Sequence, residues 1–218
     1  MKELNIFNFK SKPRNNHFAP EWSYFLCEKI INDIDCKKLS AFLLAKEKEI
    51  LKIKPKIMSD GCTGLGDNTV SGKFSEYNVL KFNNKEINKL KHKIIETHNQ
   101  FIKALNIPMP NSLYAQCWYN ILRKGQEIKA HAHGFDPDTY LGGHFCVQIK
   151  DTSTYYMNSI NHLNHPEIFK SENKIGKLTL FQNFIPHYTD KNNSNLKRIT
   201  IAFDLSLIKR NDNYYKLF

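Results

Sequence analysis

One extended stretch decides how the second half of this chain can fold: Gln126-Glu127-Ile128-Lys129-Ala130-His131-Ala132-His133. If it runs as a strand, side chains two residues apart point to the same face. His131 and His133 then present their imidazole nitrogens to one point, which is half of a metal site. Taken alone, the pair is also compatible with two ordinary surface histidines on an edge strand.

Two later stretches carry side chains that could complete such a site. A strand-like run at 177–181 turns through a proline and delivers a third imidazole, His187. The run 198–203 alternates polar and apolar side chains, which places Arg198 and Thr200 on one face of a strand. A buried guanidinium needs an anion as its partner, because burying it alone is very costly. The sequence therefore predicts a three-histidine site beside an anion-binding arginine.

The spacing of the apolar residues predicts a mainly β fold with α additions. Helical spacing runs from a cap at Asp33 or Asp35 to about Ile53, and again from a cap at Asn84. His98 lies on the apolar stripe of the second helix, where we expect a hydrogen-bonded core histidine. Strand-like alternation is found at 3–9, 113–122, 127–133, 143–149, 177–181 and 198–207, with an irregular insertion at 158–167. Because the connections are too short for crossover helices, we expect an antiparallel double-stranded β-helix (a jelly roll, cupin-like) buttressed by N-terminal helices.

Length and composition fit one domain. The chain has 218 residues, and 41% hydrophobic residues with 15 Phe and 10 Tyr argue for a globular protein. We expect a single domain at 1-218, made of helical support and a lid (1-110), a jelly-roll core (111-207) and a C-terminal tail (208-218). No apolar run approaches the about 20 residues that a membrane helix needs, and the first residues lack a signal-peptide pattern. We therefore expect a cytoplasmic protein.

The charge and the cysteines carry little specific information. A formal net charge of +11 could indicate a nucleic-acid partner, acidic substrates or only the Lys/Asn/Ile bias of an AT-rich genome. The lysines are dispersed over the predicted solvent faces of helices, so we expect no dedicated nucleic-acid surface. The five cysteines are scattered without Cys-x-x-Cys spacing, which predicts reduced thiols rather than disulfides or a zinc ribbon.

A glycine-rich segment at 59–75 does not fit a phosphate-binding loop. Phe74 follows Gly72-Lys73, where that motif requires Ser or Thr. A mobile loop over the entrance of the site and an ordinary surface loop both remain open for this segment.

Together these motifs resemble the Fe(II)- and 2-oxoglutarate-dependent oxygenase superfamily, whose usual signature is His-x-Asp/Glu, a distant His and Arg-x-Ser/Thr. More specifically, they resemble 2-oxoglutarate oxygenases of marine bacteria and their phages. The likeness covers roughly residues 114–207 and extends only loosely over 1–110. Besides the three histidines it rests on Trp118-Tyr119-Asn120, Lys124-Gly125, Leu141-Gly142-Gly143, Gly176-Lys177-Leu178-x-Leu180-Phe181, Pro186-His187 and Arg198-Ile199-x-Ile201-Ala202-Phe203.

The resemblance implies that Fe(II) is held by His131, His133 and His187 and that O2 reacts there. His133 departs from the superfamily pattern, because a carboxylate usually stands at its position. Imidazole suits Fe(II), Zn(II), Cu(II) and Ni(II) alike, so the ligands alone do not select iron. Asp136 and Asp138 are the nearest carboxylates that could join the metal instead.

The resemblance also implies a binding site for 2-oxoglutarate. Arg198 would bind the distal carboxylate, Thr200 would add a hydroxyl donor and Asn120 would hydrogen-bond the cosubstrate. The alternative for Arg198 is a structural ion pair, for example with Asp204 on the same strand face. Three further side chains could line the pocket, with a core role expected for the first of them: Trp118, His144 and Gln148.

The sequence is therefore interpreted as a dioxygenase that uses Fe(II), 2-oxoglutarate and O2, most simply a hydroxylase of an unactivated C–H bond. A small-molecule or peptide substrate is expected, with an amino acid or peptidyl side chain favoured. Two alternatives remain: a three-histidine dioxygenase that does not use 2-oxoglutarate, and a catalytically silent cupin-like binder of metal or metabolite. The sequence leaves the substrate and the oligomeric state open.

Overall fold

The computed structural model of the chain describes residues 3–56, 59–160 and 167–218. This part of the chain contains two α-helices, α1 (Cys36–Leu51) and α2 (Lys85–Ala104), and ten strands. The strands are β1 (Asn5–Lys10), β2 (Ser23–Ile30), β3 (Tyr114–Leu122), β4 (Leu141–Gln148), β5 (Ser153–Met157), β6 (Ile168–Glu172), β7 (Lys177–Gln182), β8 (His187–Thr189), β9 (Arg198–Ser206) and β10 (Tyr215–Lys216). The prediction of a mainly β fold with helical additions is confirmed.

Both helices begin at predicted capping residues, and of the two candidates for the first helix, Asp33 and Asp35, the cap is Asp35. The Asp35 carboxylate accepts a hydrogen bond from the backbone N–H of Lys38 at 3.0 Å and starts α1. The Asn84 side chain accepts from the N–H groups of Glu86 and Ile87 at 2.9 and 3.3 Å and starts α2. Each cap satisfies backbone donors that a helix leaves unpaired at its first turn.

The strands form two antiparallel sheets. The large sheet has the order β1-β2-β7-β4-β9-β3-β10, and the small sheet has the order β6-β5-β8. Sequence neighbours are often not sheet neighbours, as expected when strands alternate between two facing sheets. This arrangement agrees with the predicted double-stranded β-helix.

The large sheet reaches further along the chain than the predicted core at 111–207. The region before it, expected to give helical support and a lid, also provides β1 and β2, and the tail after it provides the edge strand β10. The sequence does not predict β2, because its run Tyr24-Phe25-Leu26-Cys27 is apolar on both faces and does not alternate. Its charged residue Lys29 is buried and donates to Glu96 and Gln100 at 2.6 and 2.9 Å.

The predicted strand at 127–133 is not a regular strand. His131 forms an isolated antiparallel bridge with His187, and Ile128 O accepts from the N–H of Thr189 at 3.0 Å. Three residue steps separate Ile128 from His131, whereas two separate their partners, so the register shifts by one residue between them. The segment is extended but bulged beside β8. Of the irregular insertion predicted at 158–167, residues 161–166 lie outside the described residues.

Two apolar cores result. The larger one fills the space between the helices and the outer face of the large sheet. His98 packs beside it through Tyr140 and Phe218 and is fully buried, with its ring nitrogens 2.9 Å from Asn99 Oδ1 and Tyr140 Oη, as predicted. The smaller core lies between the two sheets and consists of Tyr24, Leu26, Tyr156, Phe181 and Ile185. The five cysteines are free thiols, and no helix in the described ranges is long and apolar enough to cross a membrane.

Candidate metal centre

Three histidines converge between the sheets. One ring nitrogen from each of His131, His133 and His187 lies within 4.8 Å of the other two. His131 and His187 face each other because their backbones exchange hydrogen bonds at 3.1 and 2.9 Å. His133 points the same way two residues later, with its Nε2 3.2 Å from Nε2 of His131. The expectation that these side chains meet agrees with this geometry.

Two of the three imidazoles are oriented by backbone carbonyls. The Nδ1–H of His131 donates to Lys129 O at 2.8 Å, and the Nδ1–H of His187 donates to Ile185 O at 3.0 Å. Each ring therefore turns an unprotonated Nε2 toward the common point. Burial, followed by the neighbouring imidazole of His133, lowers the pKa of His131 to about 4. Burial lowers the pKa of His187 well below its usual value, so both rings are neutral at pH 7 and can donate a lone pair.

The third imidazole is oriented by a carboxylate. The Nδ1–H of His133 donates to Asp204 Oδ1 at 2.6 Å, a contact between two largely buried side chains. Because the ring proton of His133 lies on Nδ1, its Nε2 is unprotonated. The short separation between Nε2 of His133 and Nε2 of His131 is therefore not a hydrogen bond. Two nitrogens bound to one ion at about 2.1 Å would be about 3.0 to 3.4 Å apart, so the observed separation fits a shared metal. The donors suit Fe(II) and also other divalent transition metals.

Arg198 lines the same cavity as the three histidines. It is 2% exposed, and its Nε and Nη1 lack a hydrogen-bond partner among the described residues. Burial lowers its pKa, and no carboxylate in the described ranges lies within 4.0 Å of it. The cavity before it is lined by the three histidines and by Asn120, His144, Thr154 and Thr200. An unpaired buried guanidinium in such a cavity fits an anionic ligand.

The other residues predicted to bind the cosubstrate line this cavity as well. Thr200 lies two residues after Arg198 on the same face of β9, and Asn120 is its partner across β3 and β9. The Ser71 hydroxyl donates to Asn120 Oδ1 at 2.6 Å and fixes the orientation of that amide. The glycine-rich segment is thereby joined to the floor of the cavity.

Of the three further residues predicted to line the pocket, two line it and one does not. Trp118 lines the cavity, with its ring 5.6 Å from that of His133, so its role is not only that of a core residue. His144 also points inward, and its Nε2 has no partner among the described residues. Gln148 points away from the cavity because its amide bridges Ser40 and Lys197 O at 3.0 and 2.8 Å.

Two predicted alternatives are wrong. Asp136 cannot supply a ligand where the structure places it, because both of its oxygens accept from Arg210 at 2.9 Å on the surface, and Asp138 is exposed beside it. Asp204 is not the ion-pair partner of Arg198. Six residues separate the two along β9, about 20 Å of strand, and Asp204 is bonded to His133 instead.

A second cavity of about 120 Å³ shares His131, His133 and Trp118 with the first. It is lined partly by the glycine-rich segment, including Asp60 and Thr63, and by the Phe74 and Trp118 rings, whose centroids are 5.6 Å apart. The segment packs against the site, since Thr63 O accepts from the N–H of Lys129 at 2.8 Å. Its position agrees with a loop over the entrance.

Sequence reasoning missed several residues of this site. Asp204 as a partner of His133, Ser71 as a partner of Asn120, and Thr63 are the main ones. The alternation of β9 already placed Asp204 on the face of Arg198, which was a usable signal. No local pattern distinguishes Ser71 or Thr63 from other hydroxyl residues in a loop.

Comparisons with known proteins indicate the class of protein that this chain resembles. The fold and the site define a double-stranded β-helix protein in which three histidines and a buried, unpaired arginine line one cavity. Residues 116–204 match a family model described as "Putative 2OG-Fe(II) oxygenase". The resemblance to the Fe(II)- and 2-oxoglutarate-dependent oxygenase superfamily is therefore confirmed over this segment. A search of curated proteins found no match.

Solved structures show the same fold. A Pseudomonas putida prolyl-4-hydroxylase superposes with a TM-score of 0.54 and 10% identity, covering 83% of this chain and 86% of that one. The α-ketoglutarate-dependent epimerase SnoN from nogalamycin biosynthesis gives 0.54 and 9%, covering 88% and 91%. A Trichoplax adhaerens prolyl hydroxylase, in complex with a hypoxia-inducible-factor peptide, gives 0.50 and 12%, covering 81% and 83%. Together with the family match, these likenesses support an oxygenase, and the family implies Fe(II), 2-oxoglutarate and O2 in general.

Proposed function

We propose that this chain is a single-domain Fe(II)- and 2-oxoglutarate-dependent dioxygenase that hydroxylates an unactivated C–H bond of an amino acid or peptidyl side chain. One observation carries the proposal: the unpaired, buried guanidinium of Arg198 opens on the cavity where three imidazoles converge. A metal centre alone would not require an anion site at this position.

The chain's own residues have distinct roles in this proposal. His131, His133 and His187 hold the metal, which with 2-oxoglutarate and O2 supplies the oxidant for the reaction. Arg198 binds the distal carboxylate of 2-oxoglutarate as a two-pronged donor, and Thr200 adds a hydroxyl donor beside it. The amide of Asn120, held by the loop hydroxyl next to it, orients the cosubstrate.

Aromatic side chains keep water away from the centre. The Phe181 ring lies 4.7 Å from the His187 ring, and the Tyr156 ring lies 5.9 Å from it. The Trp118 ring lies 5.6 Å from the His133 ring. Because water would compete for the metal and consume the oxidant, a dry wall protects the intended reaction.

The substrate enters through the cavity of about 120 Å³, which is lined by His131 and His133 but not by Arg198. Its small volume suits one side chain or a small molecule. The peptide in the Trichoplax complex supports a peptidyl substrate. The structural relatives include both hydroxylases and an epimerase, so hydroxylation is proposed on the simplest chemistry rather than on likeness.

Succinate release tests the proposal. Protein loaded with Fe(II) under air should convert 2-oxoglutarate to succinate and carbon dioxide, faster with an amino-acid or peptide substrate found by screening. His131→Ala, His133→Ala and His187→Ala should each lose iron, whereas His92→Ala, on the exposed face of α2, should keep it. A three-histidine dioxygenase independent of 2-oxoglutarate would oxidise substrate without succinate, and a silent binder would bind metal without turnover. Either result would overturn the proposal.

A further inference from the structure

One carboxylate belongs to the metal centre without being placed as a ligand. Asp204 lies on β9, on the strand face that carries Arg198 and Thr200, and directly behind the ring of His133. Its Oδ1 accepts from Nδ1 of His133 at 2.6 Å, and the side chains are 19% and 8% exposed. The oxygen therefore faces the imidazole from the side opposite to the convergence point.

The three imidazoles are not supported alike. His131 and His187 donate to neutral backbone carbonyls, whereas His133 donates to a carboxylate. A charge-assisted hydrogen bond of this length is roughly twice as strong as a neutral one, and it increases the donor strength of the opposite ring nitrogen. His133 is thus the most strongly electron-donating of the three.

The carboxylate behind His133 affects the charge balance of the metal centre. Three neutral imidazoles bring no negative charge to a divalent ion, and burial makes an uncompensated ion costly. Asp204 is the carboxylate that contacts a ligand candidate among the described residues. Its charge reaches the metal through one imidazole ring.

We propose that Asp204 is a positioning residue for the metal, which acts through His133 and takes the place of a directly bound carboxylate. The inference rests on the proposed metal site. It adds that the negative charge that balances the metal comes from a residue that does not bind the ion. His133 and Asp204 then form one unit, in which the choice of residue at either position depends on the other.

The first test is the metal affinity of the full chain, measured by anaerobic titration with Fe(II) and with Mn(II). Asp204→Asn keeps the shape and a hydrogen-bonding group but removes the charge, and it should weaken binding about 10- to 100-fold. Asp136→Asn is the matched control, because that carboxylate pairs with Arg210 at the surface and should leave binding unchanged. Circular dichroism and thermal melting confirm that the variants fold.

The second test is a double-mutant cycle. In a His133→Asp background, residue 133 has no Nδ1–H, so Asp204 has no imidazole through which to act on the metal. Adding Asp204→Asn should then weaken metal binding by less than about threefold, although the same change weakens it about 10- to 100-fold in the wild type. A merely structural role for Asp204 would weaken metal binding by the same factor in both backgrounds.

The outcomes separate the two proposals. The role of Asp204 is overturned if Asp204→Asn binds metal within about threefold of the wild type. It is also overturned if Asp204→Asn weakens metal binding by the same factor in the wild type and in His133→Asp. Wild-type protein that binds metal with the predicted Asp204 dependence, but releases no succinate, overturns the dioxygenase and leaves the role of Asp204 intact. Wild-type protein that binds no metal overturns both.

Discussion

Arg198 illustrates how one side chain limits the chemistry of a site. The residue is 2% exposed, and two of its guanidinium nitrogens have no partner among the described residues. A protein does not normally retain such a group without a ligand, because breaking a buried charge pair is strongly destabilising. The residue is therefore expected to act on binding of the cosubstrate and not on the metal.

The first prediction concerns this binding. Arg198→Ala should weaken 2-oxoglutarate binding by about 2–5 kcal/mol, the usual cost of truncating one partner of a desolvated charge pair. That is a loss of tens- to thousands-fold in affinity, with metal affinity nearly intact. The measurement is an anaerobic titration of iron-loaded protein that follows the metal-to-ligand charge-transfer absorption. Arg210→Ala, at the surface, is the control, and superimposable curves for Arg198→Ala and wild type would remove the cosubstrate role.

A second prediction concerns His144 and pH. Burial, together with the positive charges of Lys177 and Arg198, lowers the pKa of His144 to about 3. In the unfolded chain its pKa is about 6.5, so between these values the unfolded chain binds a proton that the folded chain does not. The stability contributed by neutral His144 is fully present above pH 6.5 and decreases as the pH falls toward 3.

Urea unfolding of metal-free protein at pH 7 and pH 5 tests this contribution. Acidification should cost the wild type about 2 kcal/mol more than His144→Gln, which does not titrate there. Equal losses in the two proteins would show that His144 is not held neutral by the fold.

At the scale of elements, the helices and the candidate metal centre lie in different parts of the fold. α1 and α2 pack on the outer face of the large sheet, while the histidines and Arg198 lie between the sheets. A change confined to a helix end should therefore alter stability without altering the ligands of the centre.

The third prediction follows from this separation. Asn84→Ala removes the cap of α2 and should lower the free energy of unfolding by about 1 kcal/mol. Affinity for 2-oxoglutarate should be unchanged. The control is Asn88→Ala, whose exposed side chain accepts from Lys91 Nζ at 3.0 Å. Urea unfolding and the cosubstrate titration provide the two measurements, and a cosubstrate affinity that falls with the stability would contradict the separation.

At the scale of the whole molecule, the centre joins the two sheets. His187 belongs to the small sheet, Arg198 to the large sheet, and His131 and His133 to the bulged segment that runs beside β8. A metal bound by all three histidines therefore stabilises the folded arrangement of segments that are distant in sequence.

The fourth prediction is a metal-dependent gain in stability. Mn(II), which binds unfolded thiols weakly, should raise the free energy of unfolding by about 2.7 kcal/mol at a free concentration of 100 times the dissociation constant. His187→Ala should show no gain, while His92→Ala should show the full gain. Thermal melting with and without Mn(II) measures this, and a gain retained in His187→Ala would mean that the metal binds elsewhere.

The sequence by itself determined the parts of this protein that depend on neighbours along the chain. The cap at Asn84 and a helix start at Asp33 or Asp35 follow from the preferences of capping residues, and the shared face of Arg198 and Thr200 follows from the period of a strand. Both depend on nearby residues, so they hold whatever the rest of the chain does. Local patterns also predicted the class of fold, since short alternating runs leave few ways to bury their apolar faces.

Only the tertiary structure decided which distant residues meet. His133 and Asp204 are 71 positions apart, and Ser71 and Asn120 are 49 apart. Their contacts depend on the register of β9 against its neighbours, on the bulge in the segment before β4, and on the path of a glycine-rich loop. A shift of one residue in a strand turns every side chain to the opposite face, and no local pattern of the sequence reports that register. The carboxylate behind His133 therefore became apparent only once the sheets were assembled.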